Sequence, residues 1–253
     1  MTRLIKEPRE VSKGHMELAF EWEGEEPHPG QFVNVKVDAG SDPLLRRPFS
    51  VYDYENGILR IVVKRVGRGT NRMALYAADE MVDILGPLGK GFSVPEDARV
   101  LLVGGGVGNA PLFFLARELR EAGSRVTCVY GMRSAEYVYC AGEYRDACEE
   151  FIIATDDGSE GTKGTVADVM PGLLDRTQYD AICACGPLRM LEAVTGIAVE
   201  RAVPIEVSLE NYFGCGVGLC VGCTVETTSG NRRACVDGPV MDGSAIVWSS
   251  LEK

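Results

Sequence analysis

Apolar and polar positions alternate along the first part of the chain. Gln31 to Val37 (QFVNVKV) and Ile58 to Val66 (ILRIVVKRV) follow the two-residue period of a strand buried on one face. Gly and Pro punctuate between such runs, at Glu26-Pro27-His28-Pro29-Gly30, Asn56-Gly57 and Gly86-Pro87. Short strands at this spacing predict a small antiparallel β-barrel over residues 1–97, with a capping helix at Asn71 to Ala78.

The rhythm changes at Ala98. RVLLVGGG is a continuous apolar run ending in glycines, as a strand buried on both faces would be. PLFFLARELREAG then has helical spacing and a terminal Gly123. RVTCVYG, EEFIIATDD and YDAICACG read as further strands, with helical stretches between them, including Met190 to Arg201. This β-α-β alternation predicts a doubly wound parallel sheet over residues 98–208. The tail, residues 209–253, is rich in Cys and Gly and too short for a core of its own. It needs a metal or a neighbour to hold it. The fold class expected is therefore β plus α/β, with a small C-terminal subdomain.

Charge and composition narrow the function. Lys and Arg total 26 against 37 Asp and Glu, a net charge of −11, with no basic block. Affinity for phosphate backbones comes from clustered cations, so no nucleic-acid partner is expected. No apolar run approaches the roughly 20 residues of a membrane span, and the N-terminus has no apolar core of a signal peptide. The expectation is a soluble, cytoplasmic protein without a membrane partner.

Nine cysteines bring chemistry into the picture. Four lie in the tail as Cys215-x4-Cys220-x2-Cys223-x11-Cys235, the ligand spacing of plant-type [2Fe–2S] ferredoxins. Structural zinc sites more often present two close pairs, and zinc stays the alternative. Gly214, Gly216, Gly218 and Gly222 lie among the thiols, where a loop must aim N–H groups at sulfur. Cys128 and Cys183 read as small core residues, and Cys140 and Cys148 receive no role. His15 and His28 lie in a polar region and are expected at the surface.

Three more segments suggest nucleotide sites. Gly104-Gly105-Gly106-Val107-Gly108-Asn109-Ala110-Pro111 sits between a strand and a helix, where a helix N-terminus favours a pyrophosphate. It departs from the usual dinucleotide fingerprint at Asn109 and Pro111, and no acidic residue ends the next strand. Arg46-Arg47-Pro48-Phe49-Ser50 and Lys64-Arg65-Val66-Gly67-Arg68-Gly69-Thr70 combine cations, an aromatic ring, hydroxyls and a helix start, which would suit a flavin nucleotide.

Together these residues resemble the ferredoxin-reductase-like flavoproteins, over essentially the whole chain and in the family's order. Arg47-Pro48-Phe49-Ser50 is similar to the family's flavin strand, Gly67-x-Gly69-Thr70 to its diphosphate loop, and Gly104-Gly105-Gly106-x-Gly108-x-x-Pro111 to its nicotinamide-nucleotide turn. Cys185-Gly186-Pro187 followed by Met190 is similar to its C-G-P-x-x-M. The four-cysteine tail, with Leu209-Glu210 before it and Cys235-Val236-Asp237-Gly238-Pro239 after, narrows the resemblance to the electron-transfer subunits of the two-subunit dihydroorotate dehydrogenases.

That resemblance implies a flavin-binding barrel, a nucleotide domain and a [2Fe–2S] subdomain. It also implies a relay between NAD(H), FAD, the cluster and the FMN of a catalytic partner in pyrimidine biosynthesis, with two copies of each chain in a heterotetramer. Arg47 would meet the FAD diphosphate, with Pro48 and Phe49 along the cofactor and Ser50 at the isoalloxazine. Lys64, Gly67, Gly69 and Thr70 would complete the FAD site. Gly104, Gly105, Gly106, Gly108, Pro111, Gly186 and Pro187 would flank the nicotinamide nucleotide. Cys185 would lie near the hydride path, with Glu210 near the same pocket. Cys185 and Ser50 are the catalytic candidates, and Cys215, Cys220, Cys223 and Cys235 the metal ligands. Arg133 and Ser134 suit a 2′-phosphate as well as a ribose, so NAD against NADP stays open. Tyr212-Phe213 and Val217 to Leu219 would form the partner surface. The alternatives are a transhydrogenase or sulfhydrogenase subunit, and a non-catalytic redox sensor.

Overall fold

The computed structural model describes all residues except Ala39, Ser41, Asp42, Glu252 and Lys253. Its first half is a seven-stranded antiparallel sheet curled into a barrel. The strands are β1 (Thr2–Arg3), β2 (Arg9–Ser12), β3 (His15–Glu21), β4 (Phe32–Lys36), β5 (Arg47–Glu55), β6 (Ile58–Lys64) and β7 (Met81–Leu88), in the order β1-β7-β4-β5-β6-β3-β2. Helix α1 (Arg68–Met73) follows β6. It begins three residues earlier than the periodicity predicts, because the Thr70 hydroxyl accepts N–H bonds from Val66 (2.9 Å) and Gly67 (3.2 Å) and ties the start at Gly67. Val33, Val35 and Val37 alternate into the barrel core with Leu18, Phe20 and Ile61.

The second half is a mostly parallel sheet with helices on both faces. Strands β8 (Arg99–Gly105), β9 (Arg125–Met132), β10 (Glu150–Thr155), β11 (Thr162–Lys163), β12 (Ala181–Cys185) and β13 (Ile205–Ser208) alternate with α2 (Ala110–Glu121), α3 (Ala141–Ala147), α4 (Val166–Arg176) and α5 (Leu188–Glu200). In the tail, β14 (Thr224–Thr227) and β15 (Gly230–Arg233) form a hairpin. Strand β16 (Val240–Asp242) then returns to lie antiparallel on β13. The sheet order is β11-β10-β9-β8-β12-β13-β16, so the chain reverses direction across the sheet between β8 and β12. The tail has no core of its own: Cys223, Val225, Ala234 and Cys235 pack into the core that holds Phe32 and Leu209.

Barrel and sheet share one interface. Tyr52 of β5 stacks on Phe113 of α2 with ring centroids 4.9 Å apart. Arg60 of β6 binds Asp53 at 2.5 Å and reaches Glu143 of α3 at 3.1 Å, while Arg117 of α2 pairs with Asp53 at 3.0 Å. Asp53 is buried, so this network closes carboxylate charge that burial would otherwise penalise heavily.

His15 corrects the expectation of a surface position, since only 2% of it is exposed. It starts β3, its ring 5.2 Å from that of Tyr139, and its Nδ1 lies 3.1 Å from both Ser12 Oγ and the Lys13 carbonyl. His28 is exposed as expected. Among the described residues no helix is long and apolar enough to cross a membrane.

Candidate functional site

A cavity of about 470 Å³ opens between the barrel and the carboxyl ends of β8 and β12. In open α/β sheets the crevice beside such a reversal of strand order is the usual ligand site. Four segments far apart in sequence line it: Pro48, Phe49 and Ser50 of β5, Lys64, Val66 and Thr70 between the end of β6 and the first turn of α1, Val107 and Gly108 after β8, and Cys185 ending β12. Ser208, Leu209, Glu210, Asn211 and Phe213, on the way to the cysteine loop, close it.

The barrel side is set by register. Phe49 pairs with Val33 and Ser50 with Phe32, so the flavin-like strand is braced by β4. The two adjacent arginines part company. Arg46 is consumed by Asp83, at 2.7 Å to its carboxylate and 2.9 Å to its carbonyl. Arg47 turns toward the start of α1, its Nε 3.4 Å from where a side chain on Gly69 would begin, and donates to the Leu45 carbonyl at 2.7 Å. Thr70 uses its hydroxyl in the helix cap, donating to the Gly67 carbonyl at 3.1 Å. Gly67 has open space where a side chain would be. A helix start, a half-buried ring and Lys64 around one cavity, with the Arg47 guanidinium beside Gly69 in that helix start, fit a flavin nucleotide.

On the other side the glycines serve packing. A side chain on Gly104 would overlap the Asn109 amide, one on Gly105 would overlap the Met190 thioether, and one on Gly108 would lie 2.6 Å from the Cys185 carbonyl. Gly186 makes room for the same Met190, 2.7 Å from its Cε, and Pro187 begins α5. Gly106 stands apart: its φ is +59° and nothing surrounds its Cβ position. Pro111 sits in the first turn of α2, buried. Asn109, a departure from the fingerprint, is fully buried and donates to the carbonyls of Gly106 (2.9 Å) and Gly131 (3.1 Å). It ties the turn to β9.

Cys185 is buried against Ser208 in this wall. Burial, with the Glu210 charge adding to it, pushes its thiol up to about 12, so it stays protonated at neutral pH. It can shape the cavity and offer a weak S–H bond, but it is not a thiolate nucleophile. Glu210 extends from an open surface position to the cavity, where desolvation raises its carboxyl and the Lys64 ammonium opposes the rise.

The cysteine loop is arranged around sulfur. Cys215 Sγ accepts N–H bonds from Val217 (3.4 Å), Leu219 (3.3 Å) and Cys220 (3.4 Å), which pull its thiol down to about 6. The Cys215 and Cys220 side chains interact, as do those of Cys223 and Cys235. Among the described residues no three of these sulfurs gather within 4.8 Å. Tetrahedral zinc, at about 2.3 Å per Zn–S bond, requires all four together. Two pairs, with N–H groups aimed at sulfur, fit a two-iron cluster held two cysteines to each iron.

The cavity positions of Phe32 and Phe213 escape sequence reading, which marks Phe213 as partner surface. Their rings stack at 4.9 Å and both line the cavity. The alternation of β4 marks Phe32 simply as an apolar position. Phe213 belongs to this interior contact and not to the surface patch, which consists of Tyr212, Val217, Leu219 and Val221.

Comparison with known proteins matches the nucleotide sheet and the cysteine tail to family models. Residues 210–247 match the iron–sulfur cluster binding domain of dihydroorotate dehydrogenase B, and residues 102–196 an oxidoreductase NAD-binding domain. The chain is 39% identical over 227 residues to the electron transfer subunit of dihydroorotate dehydrogenase B (NAD(+)) of Desulforamulus reducens, covering 87% of each chain. It is 41% identical to that of Geobacillus kaustophilus, covering 87% of this chain and 86% of the relative. Among solved structures, an NADH-dependent reduced ferredoxin-NADP oxidoreductase matches with a TM-score of 0.89 and 33% identity, over 99% of this chain and 91% of the other. A ferredoxin reductase of carbazole 1,9a-dioxygenase, at 22% identity and a TM-score of 0.67, shares the fold over 82% of this chain and 68% of its own.

Proposed function

The chain belongs to the family of dihydroorotate dehydrogenase B electron transfer subunits, and on that premise we propose that it carries electrons between NAD(H) and the FMN of a dihydroorotate-oxidising partner. One observation carries the reading. A single cavity is walled by the flavin-like strand, by the turn of the nucleotide sheet and by the segment that runs directly into Cys215.

When bound, FAD links two-electron hydride chemistry to a one-electron cluster. The chain's own residues bind and orient. Arg47 and the start of α1 at Gly67, Gly69 and Thr70 hold the diphosphate. Pro48 and Phe49 lie along the flavin, and Ser50 and Lys64 meet its polar edge. Gly106, with its open left-handed backbone, receives the nicotinamide nucleotide. Gly104, Gly105, Gly108, Gly186, Pro111 and Pro187 keep the turn in shape. Cys185, as a neutral thiol, shapes the nicotinamide end, and Glu210 lines the mouth opposite Lys64. Cys215, Cys220, Cys223 and Cys235 ligate the [2Fe–2S] cluster.

The catalytic partner docks over the cluster loop, where Tyr212 and Leu219 are more than four-fifths exposed beside Cys220. Two copies of each chain would make the heterotetramer. Leu219→Asp is expected to weaken the complex on gel filtration while iron and FAD contents hold.

The test is an anaerobic titration of the purified chain with NADH, and in parallel NADPH, read by visible absorbance and low-temperature EPR. Flavin bleaching followed by a [2Fe–2S] signal supports the relay. A flavin that neither nucleotide reduces overturns it in favour of a redox sensor. A second reading, a subunit of a transhydrogenase-type complex, draws on the similarity to the reduced ferredoxin-NADP oxidoreductase. Electron delivery from dihydroorotate through an FMN-containing catalytic subunit separates the two.

A further inference from the structure

Asn34 is an anomaly in the barrel. It lies in β4 between Val33 and Val35, which point into the barrel core, and it is completely buried on the opposite face. A buried amide without full hydrogen bonding is costly, so its retention asks for a reason. Its Oδ1 has no partner among the described residues. Its Nδ2 donates to the backbone carbonyl of Cys215 at 3.2 Å, 181 residues away in sequence. The loop is shaped to receive it: a side chain on Gly216 would begin 2.6 Å from Nδ2, and Gly216 holds φ +75°.

The same strand braces the flavin-like segment. Asn34 is the cross-strand partner of Pro48, and Phe32, on the same face, pairs with Ser50 and stacks on Phe213. Strand β4 therefore touches both ends of the relay, one through its ladder and the other through two side chains. We propose that Asn34 is a positioning residue for electron transfer. Its amide fixes the Cys215 peptide, and with it the cluster edge on the Cys215–Cys220 side, at a set distance and orientation from the flavin strand. Phe32 and Phe213 hold the segment before the loop, and Asn34 holds the ligand itself. This rests on the relay reading above.

The test uses the cofactor-loaded chain and Asn34→Leu, which keeps the volume and removes the donor. Asn34→Ser, with a shorter donor, covers a loss of folding with leucine. Iron and FAD are quantified first. After anaerobic mixing with NADH, flavin bleaching and growth of the cluster EPR signal are followed separately. The expectation is retained iron and FAD, flavin bleaching within about twofold of the parent, altered EPR line shape, and cluster reduction slowed about tenfold or more, as misplacement by about an ångström can produce. Serine is expected to fall between leucine and the parent. Unchanged EPR and unchanged cluster reduction in Asn34→Leu would overturn the proposal. So would loss of iron and FAD from both variants, which would make Asn34 a folding determinant. A parent chain whose cluster NADH cannot reduce would instead sink the relay reading, and this inference with it.

Discussion

Two glycine-rich loops, 104–108 and 214–222, look alike in sequence and are built for different reasons. In the first, three of four glycines are required by protein lying against them: Asn109 at Gly104, Met190 at Gly105 and the Cys185–Gly186 backbone at Gly108. In the second, Gly216 and Gly218 combine φ of +75° and +79° with close neighbours, Asn34 Nδ2 at 2.6 Å and Val236 Cγ2 at 2.7 Å from their Cβ positions, and around Gly214 and Gly222 the nearest atom is Cys220 Sγ, at 3.2 and 3.7 Å. One loop uses glycine to bring two strand ends together. The other uses it for left-handed turns that leave the N–H groups of Val217, Leu219 and Cys220 on sulfur and seat the loop against Asn34 and Val236. A glycine count identifies neither purpose; the neighbours do.

The largest effect expected to break this comparison comes from a ligand. Cys223→Ser, at a buried thiol, should reduce bound iron to near zero while FAD stays, measured as metal and flavin per chain. If iron persisted, the pairing of Cys223 with Cys235 would not describe the cluster site.

Next comes the packed loop. Gly108→Ala places a methyl 2.6 Å from backbone atoms of Cys185 and Gly186, which cannot swing away. Overpacking of this kind costs roughly 1–3 kcal/mol. In a chain of this size that lowers the melting temperature by about 2–4 °C per kcal/mol. NADH should also lose much of its ability to bleach the flavin. Gly106→Ala meets no atom, so its cost is the left-handed backbone alone, about 1–2 kcal/mol. Equal melting temperatures for the two variants with full NADH reactivity would remove the distinction.

A finer test is a double-mutant cycle. Gly104→Ala clashes with Asn109, so adding Asn109→Ala should recover part of the stability that Gly104→Ala loses. Strict additivity in denaturant unfolding would show that the two do not share this space.

The smallest effect lies away from both loops. Burial, and the nearby Lys64 charge, depress His15 below its ordinary 6.5, against a weaker opposing bond to the Lys13 carbonyl. The unfolded chain therefore takes up this proton first as pH falls. The contribution of His15 is complete above about pH 6.5 and is lost as pH descends toward the folded value. His15→Gln should flatten the acid side of the stability profile between about pH 7 and 5. An unchanged slope would mean that His15 is not held neutral.

Much of the architecture was legible because it is written in local periods. Alternation marked β4 and β6, continuous apolar runs marked β8 and β12, and the cysteine spacing marked the cluster loop. The start of α1 was misplaced because the Thr70 cap, and not hydrophobic period, sets it. His15 was placed at the surface because its polar neighbours say nothing of Tyr139, which comes from the other half of the chain. Phe213 was read as surface for the same reason, its ring being covered by Phe32.

By itself, then, the sequence determined the order of barrel, parallel sheet and cysteine tail, the family to which they belong, and the four thiols. These depend on residue type and spacing, which tertiary context does not alter. Only the tertiary structure decided which of Arg46 and Arg47 turns toward the helix start, which glycines face protein and which face open space, and that Cys185 is a protonated wall residue. It alone also joined Asn34 to Cys215. Such outcomes arise where segments distant in sequence meet. Burial, orphaned polar atoms and close approach exist there only after the chain has folded.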